Sequence, residues 1–190
     1  MNAQTKKQRD TRKDKVCSSL QQALEYCLSL RRDKKYSFRG QRRENWDVVP
    51  HLHDNELERV PIYLKHFIIR AMELGYQRHL PETDKWRWLF LARHHGLATQ
   101  LLDWTTNPLV AIYLAVEDIV SSSSEVPDRS KCCGAVWALH VKGNRFKEPD
   151  PKLKSPNKKH RKWFMVNPPP VTKRIARQSA KFTFHPKGRI

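Results

Sequence analysis

The stretch ARHHGLATQLLDWTTNP, residues 92–108, decides how this chain is interpreted because it joins three structural signals without a gap. The apolar spacing that leads up to His94 predicts a helix, and Gly96 can end it. Thr99 to Asp103 is a compact apolar run and is predicted to be a buried strand. Asn107-Pro108 predicts the start of another helix, with Asn as the cap and Pro in the first turn. The stretch is therefore predicted to form helix, strand and helix in direct succession.

Polar side chains gather where this strand is predicted to end and the next helix to begin, namely Asp103, Thr105, Thr106 and Asn107. A helix N-terminus presents free N–H donors and positive potential, which suit phosphates and other anions. The segment is therefore a candidate anion-binding site. A purely structural alternative stays open, in which Asp103 and Asn107 cap the turn and the helix while His94 and His95 finish the preceding helix.

Outside this stretch, the sequence pattern predicts mainly helices in the first half and strands in the second. Val16–Leu28 and Asp54–Gln77 have helical spacing, and Pro61 either starts or kinks the second of these helices. Residues 36–39 predict a short strand that Gly40 stops. Three later segments are predicted to be strands: Gly134–Val141, Phe164–Val166 and Lys181–His185. The fold class is predicted to be α+β, a single domain with N-terminal helices and a small mixed sheet.

The net charge of +18 is concentrated at the two ends of the chain. Residues 1–35 carry 10 basic against 4 acidic side chains, residues 36–130 carry 11 against 13, and residues 131–190 carry 16 against 2. Basic ends of this kind attract nucleic acid or an acidic partner protein, or they serve only as solubilising tails. The candidate nucleic-acid-binding residues, which combine charge with an aromatic ring, are Lys158, Lys159, Arg161, Lys162 and Trp163.

The length of 190 residues fits one domain with tails better than two domains. We expect a disordered basic tail at residues 1–15 and a domain at residues 16–190 that includes a basic loop at 142–162. The four cysteines have neither a disulfide-framework pattern nor zinc-finger spacing, and no metal site is expected. Because there is no signal-peptide pattern and no apolar run of about 20 residues, we expect a cytoplasmic protein without membrane association.

Arg39 is a second candidate for anion binding because its planar guanidinium can grip a phosphate or a carboxylate. The Gly40 that follows it allows a backbone or a ligand to approach closely. The structural alternative is an ion pair of Arg39 with Asp103 or Glu44. Gln178 is a weaker candidate that can form hydrogen bonds with a ribose or an amide, although glutamine is more often a surface residue.

Three separated segments resemble the FRG domain family, which is named for its Phe-Arg-Gly. Residues 36–41, YSFRGQ, with Trp46 and Pro50 resemble the opening of the family pattern. The residues from His94 to Pro108 resemble its central element, and Arg174-Ile175 with Gln178 and Phe182 resembles its third. The family has glycine where this chain has Ala180, and it continues past this element. The resemblance therefore implies a sheet that is completed by less chain than usual or a sequence that is a fragment.

The layout of the FRG family is similar to that of ADP-ribosyltransferases, so the resemblance implies an ADP-ribosyltransferase-like fold with NAD as co-substrate. Those enzymes place an arginine at the end of a first strand, a Ser/Thr-rich strand end in the middle, and a carboxylate or glutamine late in the chain. By this resemblance, Arg39 holds the NAD pyrophosphate or the nicotinamide ribose. The other residues implied in the cofactor site are Gly40, Gln41, His94, His95, Thr105, Thr106 and Asn107, of which the last three would line the nicotinamide pocket.

The implied reaction breaks the nicotinamide–ribose bond through an oxocarbenium-like state, which a nearby carboxylate stabilises. The expected catalytic residues are Arg39, Asp103 and Gln178, and Asp103 is the carboxylate because Gln178 has no charge. The first functional hypothesis is therefore an ADP-ribosyltransferase, a toxin or anti-phage effector that modifies nucleic acid or a ribonucleoprotein. The alternatives are a non-catalytic basic module that binds nucleic acid and a module that binds an acidic, antitoxin-like protein.

Overall fold

The computed structural model describes residues 14–32, 36–52, 54–76, 80–121, 133–141, 146–147, 162–168 and 179–186. Within these ranges the helices are α1 (Leu20–Arg31), α2 (Val60–Glu73), α3 (Lys85–His94) and α4 (Pro108–Ser121), and a 3-10 helix, Asp54–Arg59, precedes α2. The strands are β1 (Tyr36–Gln41), β2 (Leu101–Thr105), β3 (Ala135–His140), β4 (Phe146–Lys147), β5 (Phe164–Val166) and β6 (Ala180–Phe184).

The strands form one sheet in the order β3-β1-β2-β6-β5-β4. All neighbouring strands are antiparallel except β4 and β5, which are parallel. The predicted α+β class with a small mixed sheet is therefore confirmed. One detail differs from the prediction: β4 lies within the basic segment at 142–162 that was predicted to be a loop.

Side-chain caps explain where three of the helices begin. The Ser19 hydroxyl accepts a hydrogen bond from Gln22 N at 3.2 Å, and the Asp84 carboxylate accepts one from Arg87 N at 3.1 Å. Asn107 Oδ1 accepts one from Leu109 N at 3.0 Å, which confirms the predicted start of α4. Gly96 has a φ of 87° just after α3, so the predicted glycine stop is also confirmed.

Gly40 does not stop β1, which continues through Gln41, and this prediction was wrong. A Cβ atom at Gly40 would lie 1.9 Å from the carbonyl oxygen of Ala111 in α4, and one at Gly134 would lie 2.3 Å from that of Ala115. The two glycines therefore let α4 lie directly on β1 and on the start of β3. Gly40 thus allows the close approach of a backbone, one of the two roles predicted for it, and the backbone is that of α4.

The central strand is displaced by two residues from its predicted position at Thr99–Asp103. Thr99 and Gln100 are buried but precede β2, and Thr99 Oγ1 accepts a hydrogen bond from Leu101 N at 3.3 Å. Gln100 O accepts one from His185 N at 2.9 Å, beyond the end of β6. Because these two polar residues make turn contacts, the strand begins only at Leu101 and carries Asp103 in its middle instead of at its end.

The two faces of the sheet bury different sets of side chains. On one face, aromatic residues of α3 pack against β5 and β6 in a cluster that contains Trp86, Trp88, Phe90, Phe164, Phe182 and Phe184. On the other face, Leu102, Trp104 and Met165 pack together with Trp137 and Leu139. Ser37 Oγ lies 3.8 Å from Met165 Sδ although two strands separate β1 from β5. A flat sheet would place those strands about 14 Å apart, so the sheet curls around this second cluster.

β1 and β2 separate from each other along most of their length. They pair only at Phe38 and Thr105, whereas β1 pairs with β3 from Tyr36 to Gln41. Beyond that one position, backbone and side-chain groups of β1 and β2 are available for other contacts. The candidate site lies where these two strands separate.

Candidate functional site

A cleft of about 410 Å³ opens at the single pairing position of β1 and β2, and its size is suited to part of a nucleotide. Both Phe38 and Thr105 line it. The end of α3 contributes Arg93 and His94, and α4 contributes Glu117. The cleft therefore brings together the FRG-like opening and the central element that the sequence analysis identified separately.

Arg39 crosses the gap between the two strands. Its Nη1 donates a hydrogen bond to the carbonyl oxygen of Asp103 at 3.0 Å and lies 3.8 Å from Asp103 Oδ2. The ion pair offered as a structural alternative is therefore present. Arg39 Nε is buried and has no hydrogen-bond partner within the described residues. The guanidinium thus joins β1 to β2 where ladder hydrogen bonds are missing and keeps one donor for a ligand.

Asp103 is held by a second arginine, which comes from α3. Arg93 Nη2 donates to Asp103 Oδ2 at 2.5 Å, and Arg93 Nε donates to the same oxygen at 3.2 Å. The Arg93 side chain is 16% exposed and that of Asp103 is 43% exposed. One carboxylate therefore faces two guanidinium groups at the edge of solvent.

The charges in this cluster do not cancel. Burial lowers the pKa of Arg39 below its usual value, the nearby Asp103 carboxylate raises it in part, and the positive charge of Arg93 lowers it further. Two guanidinium groups against one carboxylate leave excess positive charge in a half-buried position. An anion that enters the cleft is attracted by this charge, and its chemistry matches a phosphate or a pyrophosphate.

Gln41 lies two residues after Arg39 on β1 and is 5% exposed. Its Nε2 donates a hydrogen bond to Asp47 O at 3.2 Å, which fixes the orientation of the amide. Its Oε1 is buried and has no hydrogen-bond partner in the described part of the chain. Since Gln41 also lines the cleft, the site combines a cationic donor with a neutral acceptor.

The polar residues at the end of β2 and in the following turn divide into one that lines the cleft and two that build the turn. Thr105 lines the cleft, and its Oγ1 accepts a hydrogen bond from Asn107 N at 3.0 Å. Asn107 caps α4, and Thr106 N donates to Ser179 O at 3.1 Å. Thr106 and Asn107 are not among the residues that line the cleft. Their contacts agree with the structural alternative for this segment.

The two adjacent histidines also differ in position. His94 lines the cleft, while His95 is exposed and packs its ring against Tyr76 and Phe67 at centroid distances of 5.4 and 6.0 Å. The structural alternative, in which His95 finishes α3, therefore describes its position, and His95 is the C-cap residue of that helix.

Several predicted site residues lie outside the described residues: Gln178, Lys158, Lys159 and Arg161. The neighbour of Gln178 in the chain, Ser179, has a φ of 48° and accepts the hydrogen bond from Thr106. Lys162 is exposed and Trp163 is half-buried just before β5. The structure thus places Arg39 close to Asp103, as the hypothesis of an ADP-ribosyltransferase site requires. The third residue of that site, Gln178, lies outside the described residues.

Arg93, Trp46 and Glu117 are among the cleft residues that were not predicted from the sequence. Arg93 lay within the quoted block but was not proposed for a role. Trp46, 40% exposed, lines the cleft from the connection after β1. Glu117 lies on the face of α4 that also carries Val110 and Leu114, at spacings of four and three residues. That helical spacing was visible in the sequence, but the face that points to the cleft depended on where α4 packs.

The described residues contain no group of three or more His, Cys, Asp or Glu side chains that could hold a metal ion. Among the described helices, none has the length and apolarity to cross a membrane.

Comparison with known proteins gives one match. Residues 34–124 match the model of the FRG domain, a range that runs from just before β1 to just after α4. β3, β5 and β6 lie beyond this range but complete the same sheet. No similar protein is found among the curated proteins, and none among the solved structures.

Proposed function

Because residues 34–124 match the model of the FRG domain, we propose that the protein is an NAD-dependent ADP-ribosyltransferase. The observation that carries the proposal is the cluster of Arg39, Asp103 and Arg93 in a cleft of about 410 Å³. Its excess positive charge suits the pyrophosphate of a dinucleotide, and Arg39 Nε provides a buried donor that no described residue uses.

In this proposal, Arg39 binds the pyrophosphate or the nicotinamide ribose, and Asp103 positions the arginines. The carboxylate of Asp103 contacts both guanidinium groups and therefore orients them. Its negative charge is offset by the positive charges of the two arginines. Gly40, Gln41, His94 and Thr105 form the surrounding wall of the site. Thr106 and Asn107 support that wall from the turn, and Gln178 remains a proposed site residue through the family resemblance alone.

The reaction breaks the bond between the ribose C1′ and the nicotinamide nitrogen, and its electron pair leaves with nicotinamide. The positive charge left on the ribose is stabilised by a nearby carboxylate until the acceptor attacks C1′ and gives up its proton. Among the described residues that line the cleft, Asp103 and Glu117 are the carboxylates. We propose that Glu117, which lines the cleft from α4, stabilises the charge at C1′ and that Asp103 positions the two arginines.

The acceptor is proposed to be nucleic acid or a ribonucleoprotein, because residues 131–190 carry 16 basic against 2 acidic side chains. The part of this segment that is described places Lys162 in solvent next to Trp163. We propose a cytoplasmic toxin or an anti-phage effector as the biological role of the protein.

Incubation of the purified protein with labelled NAD and with RNA, DNA or cell lysate tests the proposal. We expect label transfer by wild type and a loss on the order of 100-fold for Arg39→Ala, because the ligand's charge loses its main partner. Arg70→Ala is the matched control, since the Arg70 side chain is 71% exposed on α2 and pairs only with Glu73 among the contacts described. Absence of transfer by wild type, or equal transfer by Arg39→Ala, would remove the proposal.

The second candidate function is a non-catalytic module that binds nucleic acid, and the same basic C-terminal segment favours it. It predicts binding that weakens steeply with salt, is unaffected by Arg39→Ala, and falls when Lys158, Lys159, Arg161 and Lys162 are neutralised. A stable complex with an acidic protein, rather than with nucleic acid, would indicate an antitoxin-like partner instead.

A further inference from the structure

The amide of Gln41 contains a buried acceptor that no described residue uses. The residue is 5% exposed, and its Nε2 donates to Asp47 O at 3.2 Å. This hydrogen bond determines which end of the amide carries the oxygen, and that oxygen has no partner in the described structure. A buried carbonyl oxygen is normally hydrogen-bonded, so the cleft wall presents an acceptor suited to a donor on a ligand.

Arg39 and Gln41 direct their side chains to the same side of β1 because they are two residues apart. Their Cα atoms are about 7 Å apart along the strand, and both side chains line the cleft. A ligand that spans them must carry an anion at one end and a hydrogen-bond donor close to it. The donor is neutral, since an ammonium group would be repelled by Arg39 and by Arg93, which lies nearby.

Trp46 adds an aromatic surface to the same cleft. It is 40% exposed, and the guanidinium carbon of Arg42 lies 6.0 Å from its ring centroid. Trp46 also precedes Asp47, whose carbonyl oxygen accepts the hydrogen bond from Gln41. The wall of the cleft therefore combines a guanidinium, an amide acceptor and an indole. An aromatic base stacks on such a ring with little dependence on its identity.

We propose that Arg39, Gln41 and Trp46 form a seat for a ribonucleoside 5′-phosphate. The phosphate lies against Arg39, a ribose hydroxyl donates to Gln41 Oε1, and the base lies against Trp46. The inference deepens the proposed function, because NAD contains two such units. This seat is expected to bind a ribonucleotide more tightly than a deoxyribonucleotide, and Gln41 is the residue that distinguishes the two sugars.

Isothermal titration calorimetry on the full chain tests this seat. The probes are adenosine 5′-monophosphate and nicotinamide mononucleotide, each with its 2′-deoxy and 3′-deoxy counterparts, so that the two halves of NAD are compared. We expect wild type to prefer the ribonucleotide of at least one half by about tenfold over one deoxy counterpart. Gln41→Met keeps the volume but removes the acceptor, and we expect its preference to fall below twofold.

Gln100→Met is the matched control because Gln100 is another buried glutamine, 2% exposed, that does not line the cleft. We expect it to keep the wild-type preference even where it lowers the melting temperature. Equal affinity of wild type for the ribonucleotides and their deoxy counterparts overturns the inference, and so does the absence of binding. Failure of the proposed function is seen separately, as sugar-selective binding without any consumption of NAD.

Discussion

Two groups of interacting polar side chains lie within this sheet, and they differ in their charge and in their exposure to solvent. In the cleft, Arg39, Asp103 and Arg93 are charged and partly exposed to solvent. On the sheet face that carries Trp104, by contrast, its Nε1 donates to Thr183 Oγ1 at 2.9 Å, and that hydroxyl lies 2.9 Å from His185 Nε2. The second group is neutral and buried, although Trp104 also lines the cleft and His185 Nδ1 has no hydrogen-bond partner among the described residues.

The difference shows which polar groups serve the fold and which are available for chemistry. The Trp104–Thr183–His185 network ties β2 to β6 and keeps an interior hydroxyl satisfied. The cleft cluster also joins two strands, through Arg39 and the carbonyl of Asp103, but it retains excess charge and a donor with no described partner. We therefore expect substitutions in the cleft to change function and substitutions in the network to change stability.

The largest effect is expected for Glu117→Gln. If Glu117 stabilises the charge at the ribose C1′, loss of its charge lowers the rate of NAD consumption on the order of 100-fold with little change in substrate affinity. Steady-state kinetics measure both quantities. Glu73→Gln is the matched control, since Glu73 is 56% exposed on α2 away from the cleft. If Glu117→Gln consumes NAD at the wild-type rate, Asp103 is instead the carboxylate that stabilises the charge at C1′.

The acid sensitivity of the fold should arise partly from His185. Burial lowers its pKa to about 4, whereas an unfolded histidine titrates near 6.5. Between these values the unfolded chain binds more protons, so stability falls as pH drops from about 6.5 to about 4, by about 3 kcal/mol in total. Urea unfolding at pH 7 and 4.5 measures this loss. We expect a smaller loss for His185→Gln than for wild type, and an unchanged loss for His66→Gln, since His66 is exposed.

The neutral network can also be broken at its central hydroxyl. Thr183→Val keeps the shape but leaves Trp104 Nε1 without its acceptor, and we expect the free energy of unfolding to fall by about 2 kcal/mol. NAD consumption below the melting temperature should stay at the wild-type level. Thr106→Val serves as the stability control, because its hydroxyl makes one weak contact at 3.5 Å. If activity falls with Thr183→Val, the hydrogen bond of Thr183 also supports the cleft, because Trp104 is part of its lining.

The sequence predicted the local elements better than it predicted their relation to the cleft. Capping and spacing located α3 and α4, since Asp84, Gly96 and Asn107 act within one turn of their own position. Gly40 was misinterpreted because its role depends on α4, which begins 68 residues later in the chain. A glycine that stops a strand and one that admits a helix have the same local sequence.

The residues of the candidate site were likewise predicted from the sequence only in part. Arg39 and Asp103 were predicted as candidate site residues from the local sequence before the family resemblance gave them roles, and the structure brings them together. Glu117 and Trp46 were missed because their placement follows from the packing of α4 and from the course of the chain after β1. His95 and Asn107 were included because sequence proximity does not distinguish a cleft residue from a capping residue beside it.

The smallest effect on stability is expected for Asp103→Asn, and it tests the charge imbalance directly. Its carboxylate is 43% exposed, so we expect the loss to be about 1 kcal/mol, well below that for a fully buried ion pair. The two arginines then carry uncompensated charge, and an added anion should replace the carboxylate. We therefore expect pyrophosphate to raise the melting temperature of Asp103→Asn more than that of wild type. Arg39→Ala combined with Asp103→Asn should lose this extra stabilisation, and if it does not, the anion binds somewhere other than the cleft.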